Sequence, residues 1–257
     1  MSFKAVIIGC LTGFISAFFG IGGSSIDTPL LRTFLKLPPY IALGTPLPLT
    51  LLTATIASFT YKRKHLVNFR IAIYSLIGGV PGIVAGSYLT AYLSGKFLML
   101  FTAGILFFMG IDFFYNNVIE KIFCTEKICS PPPAYSVISI ATVIGLLSGI
   151  LANGGGIFFV PTYVVLFRMK IKEAIATSLL TVAVMSIPGS MIHYHLGHID
   201  LATSAAMGIG VAPMAYIGAK MDIKTKSKTI MLLFGILLIS FSIYFFMGWR
   251  LDCVFVF

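Results

Sequence analysis

The chain has 257 residues, is 58% hydrophobic and only 10% charged, and has a mean hydropathy of +1.01. Soluble domains run at about 45–50% apolar and about 25% charged residues, so this balance excludes a soluble globular protein and points to an all-α integral membrane protein. The formal charge of +10 lies in short loops between apolar spans, the pattern of membrane topology rather than of nucleic-acid binding.

In chain order, the first segment runs from Val6 to Leu37 and is interrupted by glycines. Spans follow at about Ile41–Tyr61, Ile71–Leu93 and Phe97–Tyr115. A second interrupted segment, Val137–Phe167, precedes spans at Ala174–Tyr194, Leu201–Met221 and Thr229–Trp249. Lys4 before an apolar run mimics a signal peptide, but no convincing cleavage site follows, so the segment reads as retained.

The two interrupted segments carry the same phrase 132 residues apart. Gly13, Ser16, Gly22, Gly23 and Pro29 match Gly145, Ser148, Gly154, Gly155 and Pro161. The register continues without a gap through Thr45 and Thr177, Gly78 and Gly210, Pro81 and Pro213, and Lys96 and Lys228. Shared apolar residues arise by chance in membrane proteins; glycine, proline, threonine and lysine in one register indicate duplication. The expected repeats are 1–118 and 136–257, joined by a loop at 119–135.

Length and charge set the form of each repeat. As one straight helix, Val6–Leu37 would reach about 48 Å at 1.5 Å per residue, against a hydrocarbon thickness of about 30 Å. A broken, re-entrant helical hairpin fits better. With a hairpin plus three spans, each repeat crosses an odd number of times and the two are inverted. That arrangement puts 13 of the 18 Lys and Arg on one side, among them Lys62, Arg63, Lys64 and Arg70. The basic side is then cytoplasmic and both termini are extracytoplasmic. Cys124 and Cys129 fall in a cytoplasmic loop as reduced thiols; their spacing matches no zinc pattern, and neither a metal nor a cofactor is expected.

Glycine breaks in a membrane are costly unless the freed backbone groups bind something. Gly22, Gly23, Ser24, Ser25 and Thr28 in the first copy, and Asn153, Gly154, Gly155 and Gly156 in the second, offer amides and hydroxyls at the start of a short helix, whose N-terminus carries about half a positive charge. Two such ends meeting at mid-membrane would hold a small oxyanion. Thr45 and Thr177 are candidates to complete the site. Pro29 and Pro161 are expected in the first turn of each second half-helix, where a missing N–H costs nothing. Asp27 is a carboxylate inside an apolar segment and a candidate for proton coupling; its repeat partner is Phe159. His193, His195 and His198 stand before Asp200 and read as an interfacial loop, with a relay role as the alternative. A competing function is an intramembrane enzyme using Asp27 or these histidines; another is a scaffold or receptor without transport.

The pattern Gly13-x-x-x-Ala17-x-x-Gly20-x-Gly22-Gly23 through Pro29, repeated from Gly145 through Gly154-Gly155-Gly156 to Pro161, resembles the TauE/SafE sulfite exporter family over about Val6–Phe246. The resemblance implies a plasma-membrane carrier for sulfite or a small organosulfonate, driven by a proton or sodium gradient and not by ATP. This chain departs from the usual pattern at Ser24, often a third glycine, and at Asp27, usually apolar.

Overall fold

The structure is a computed structural model and describes residues 2–90, 104, 107, 108, 111 and 132–252. Every regular element among them is an α-helix: α1 (Ser2–Phe19), α2 (Ser24–Phe34), α3 (Pro39–Gly44), α4 (Pro46–Lys62), α5 (Phe69–Leu89), α6 (Ala134–Ile150), α7 (Gly156–Val165), α8 (Ile171–His195), α9 (Leu201–Lys224) and α10 (Ser227–Asp252). Four helical stretches are long and apolar enough to cross a bilayer: Tyr40–Lys62, Phe69–Leu89, Ile171–His195 and Leu201–Lys224. The all-α membrane character read from composition is therefore present in the fold. Most of the expected span Phe97–Tyr115, the loop at 119–135 and its two cysteines lie outside the described residues.

The chain forms two compact units, Met1–Tyr92 with Pro131–Lys224, and Leu93–Ser130 with Thr225–Phe257. The first holds α1 to α9 and everything that follows; in the second, the long described element is α10.

Within the first unit, glycines decide which helices pair. Gly9 and Gly13 of α1 lie against Met207 and Val211 of α9, and Gly218 of α9 lies against Phe14. Gly78, Gly82 and Gly86 of α5 lie against Ile138, Thr142 and Leu146 of α6. At these positions a Cβ would collide with the neighbouring backbone, so small residues set the approach, as expected where lipid supplies no hydrophobic drive between helices. Residue numbers rise together in both pairs, so both pairs are parallel. The pairs correspond across the 132-residue offset: the first helix of each repeat packs on the third long helix of the other.

Both interrupted segments break as the glycines require. Ala5 and Ile8 of α1 share a core with Leu31 of α2, so α2 returns alongside α1 as a hairpin. The backbone repeats in detail. Ile21 N–H donates to Ser16 O (3.2 Å), and Asn153 N–H donates to Ser148 O (3.1 Å). Asp27 N–H and Phe159 N–H each donate, at 3.0 Å, to the carbonyl of Gly23 and of Gly155. All positive-φ residues among those described fall into pairs 132 apart: Gly20 with Ala152, Gly22 with Gly154, Gly23 with Gly155, Lys36 with Arg168, and His65 with Gly197.

The expectation about Pro29 and Pro161 needs correcting. Pro29 is the sixth residue of α2 and Pro161 the sixth of α7, both past the first turn. The helices begin directly at the glycines, so each proline removes one internal hydrogen bond rather than an unsatisfied one. Pro46 and Pro48 do not unwind their segment: Thr45 keeps αR geometry (φ −53°, ψ −35°), and α4 begins with Pro46 at its first position.

Candidate functional site

The two glycine breaks meet. Gly22 and Gly154 both face Thr50 of α4 and Val182 of α8, and the α-carbon of Gly156 sits where a Cβ would strike the Ile21 carbonyl. Thr50 and Val182 are themselves repeat partners. Along α4 and α8, residue numbers run in opposite directions: Leu47 lies near Gly189, while Ser58 and Leu180 share a cavity wall at the other end with Leu51, Thr55 and Ile187. Further bonds tie the breaks to this central helix pair. Ser24 N–H donates to Thr50 Oγ1 (3.2 Å), and Ser178 Oγ donates to Gly20 O (3.2 Å).

At each break, the last positive-φ glycine caps the helix that follows. Gly23 has φ +96° and Gly155 has φ +90°, and they cap α2 and α7. Beside Gly23 lie Ser16 Oγ and the Asp27 carboxyl; beside Gly155 lie Ser148 Oγ and the Phe159 ring. Asp27 and Phe159 thus occupy matching seats. Around Gly23, several polar atoms are buried without a partner: the hydroxyls of Ser16, Ser24 and Ser25, and Asp27 Oδ1. Asp27 is 1% exposed, and the Thr12 hydroxyl bonds its carboxyl. Buried polar atoms are nearly always satisfied in folded proteins, so this cluster is a concentration of unmet donors and acceptors at one helix N-terminus.

The other residues singled out from sequence divide. Asn153 Oδ1 accepts from Gly155 N–H (3.1 Å) and so shapes the second break. The Thr28 hydroxyl donates to Ser24 O (2.9 Å), within its own helix. The hydroxyls of Thr45 and Thr177 are taken up by loop amides. Thr45 Oγ1 accepts from Asp200 N–H, and Thr177 Oγ1 accepts from Asn68 N–H, both at 3.0 Å. Each threonine latches the loop of the other repeat, and each latched loop residue caps the following helix. Asn68 Oδ1 accepts from Ile71 N–H, and Asp200 Oδ1 from Ala202 N–H. The Thr203 hydroxyl, 2.6 Å from Asp200 Oδ2, holds that carboxyl below its ordinary pKa against a smaller opposing push from burial.

The histidines do not form a cluster of three. His193 and His198 place their Nδ1 atoms 3.2 Å apart, one donating and the other accepting, while His195 is exposed. Burial lowers the pKa of His198. Among the described residues, no group of three His, Cys, Asp or Glu side chains could hold a metal ion.

Sequence reading missed Asp222. It is fully buried on α9, and its Oδ2 accepts from Tyr61 OH at 2.6 Å. Tyr61 also reaches the Ala17 carbonyl at the end of α1 (3.4 Å), and Lys172 lies within electrostatic reach of Asp222. Three elements converge on this bond. Tyr61→Phe is expected to destabilise the detergent-solubilised protein by about 1–3 kcal/mol, the cost of stranding a buried acceptor. Adding Asp222→Asn should recover part of that loss in thermal unfolding.

Two helical breaks packed against each other at the centre of a bundle of apolar helices are the geometry expected of a carrier. The family model described as sulfite exporter TauE/SafE matches residues 5–245. The chain belongs to the TauE/SafE family. Relatives include the "probable membrane transporter protein YunE" of Bacillus subtilis, 26% identical over 91% of this chain and 93% of its own. A probable membrane transporter protein of Methanocaldococcus jannaschii is 23% identical over 87% of each chain. One from Xylella fastidiosa is 24% identical over 95% of this chain and 96% of its own. No solved structure matches. This TauE/SafE protein is accordingly a membrane transporter and not an enzyme, which removes the intramembrane-enzyme reading of Asp27 and the histidines.

Proposed function

We propose that this TauE/SafE protein is a secondary transporter of a small sulfur-containing oxyanion, sulfite or an organosulfonate, across the plasma membrane. The anion is held where the N-termini of α2 and α7 converge, by the amides and hydroxyls of Gly22–Ser25 and Asn153–Gly156. The observation that carries the reading is the junction of the two breaks on Thr50 and Val182. Helix N-termini favour anions, and paired broken helices are the usual site of secondary transport. The opposed directions of α4 and α8, which are repeat partners, support inverted repeats, and the positive-inside bias favours both termini extracytoplasmic. Because Gly156 is pressed against Ile21, the breaks must part to admit a solute, and rocking of the repeats about the α4–α8 pair would achieve this. Thr45 and Thr177 serve as hinge latches between repeats rather than ligands.

Asp27 gives the site its coupling. A carboxylate tethered at the N-terminus of α2 is itself an anion in the substrate's seat, so the seat opens when a proton or sodium ion neutralises it. The test is counterflow in proteoliposomes. Preloaded sulfite, sulfate, thiosulfate or a short sulfonate should drive uptake of labelled sulfite or sulfonate; absence of exchange with every anion removes the proposal.

A further inference from the structure

A second site lies at the basic end of the bundle. Where α4 and α9 both finish, they enclose a cavity of about 740 Å³. Four cations line it, Arg63 and Lys64 after α4 with Lys220 and Lys224 of α9, and no carboxylate does. Its remaining wall is largely apolar and aromatic. Phe59 and Tyr216, 58% and 48% exposed, stand on helix surfaces that face hydrocarbon in a membrane protein of this length. The two features are joined: the Arg63 guanidinium lies 4.7 Å from the Phe59 ring centre, and Lys220 Nζ lies 5.7 Å from that of Tyr216.

We infer that this cavity binds an anionic phospholipid, its phosphodiester among the four cations and its glycerol and upper acyl chain against Phe59 and Tyr216. Charge alone would suit any oxyanion. A free sulfite or phosphate, however, would leave the aromatic wall unfilled and the exposed rings uncovered, whereas a lipid satisfies both halves. The positive-inside bias accounts for cations near this end, but not for their convergence with two exposed aromatics on one cavity. The site is independent of the central junction: its cations stand at the ends of α4 and α9, whereas the breaks meet α4 at Thr50, in its first half.

The probe is phosphatidylglycerol, offered in mixed micelles with phosphatidylcholine and read by native mass spectrometry of the purified full-length protein. Lys220→Gln with Lys224→Gln should cut phosphatidylglycerol retention about tenfold or more, since each cation near a membrane surface contributes appreciably to anionic-lipid binding, and should leave phosphatidylcholine unchanged. Phe59→Ala should lower retention without changing charge. Lys226→Gln with Lys228→Gln removes the same charge outside the cavity and should have little effect. An equal loss in that control assigns the binding to diffuse surface charge and overturns the proposal. Displacement of the lipid by millimolar inorganic phosphate does so as well, because the cavity would then be a free-anion site.

Discussion

Gly155→Leu is expected to abolish anion exchange, by on the order of 100-fold, while the protein still inserts and remains monodisperse. Two effects add at this position. The φ of +90° is a left-handed conformation that costs a residue with a Cβ about 1–2 kcal/mol. The Cβ would also lie 2.7 Å from Ser148 Oγ and 3.0 Å from the Phe159 ring, so the break must open and the start of α7 must move. Displacement of about 1 Å in a site built on fixed donors costs on the order of 100-fold in rate. Gly23→Leu should behave likewise in the first copy. Gly197 supplies the control. It has φ +71° but nothing within 4 Å of the position its Cβ would take, so Gly197→Ala carries the strain without the collision and should transport normally. Normal sulfite exchange by the Gly155 variant would remove the breaks from the transport path.

Asp27→Asn should separate exchange from accumulation. An ionised carboxyl about 5 Å from a bound anion repels it by roughly 3 kcal/mol at an effective dielectric of about 20, which lowers anion affinity by about two orders of magnitude. Neutralisation by a proton or sodium ion removes that penalty and links the two solutes. The amide is neutral permanently. Counterflow should therefore persist in the variant, whereas uptake driven by a pH or sodium gradient should fall to the level of passive equilibration. Among the described residues, the other buried titratable groups each have a side-chain partner, Tyr61 with Asp222, Tyr163 with Ser75, and His193 with His198, although Asp222 Oδ1 and His193 Nε2, like Asp27 Oδ1, have none. Gradient-driven accumulation that survives in Asp27→Asn would assign coupling elsewhere, and loss of both activities would make Asp27 a structural acid of α2.

Duplication was legible because glycine and proline report backbone conformation directly. The breaks at Gly20–Gly23 and Ala152–Gly155 fall where the sequence placed them, and the boundaries of the spans that lie among the described residues agree to within a few residues. What sequence could not supply was the partner of each side chain. Thr45 and Thr177 looked like ligands because they recur early in the span that follows each break; their hydroxyls instead receive backbone amides from residues 155 and 109 positions away. Ser16 and Ser148 recur within the motif itself, and that recurrence was the available signal for their place beside Gly23 and Gly155. Thr50, Ser178 and the Tyr61–Asp222 bond had no such signal, because their repeat partners are Val182, Pro46, His193 and Thr90. Pro29 misled by assuming that the second half-helix began later than the last glycine.

The exchange of helices between repeats has a consequence for biosynthesis. The face of α1 that carries Gly9 and Gly13 is completed by α9, which leaves the ribosome roughly 200 residues later. At about 5–20 residues per second the nascent N-terminal helix waits some tens of seconds in the lipid with that face uncovered. A chain truncated before Leu201 therefore leaves α1 with no mate, and the quality-control machinery of the membrane would meet it as an unassembled helix rather than as half of a working carrier.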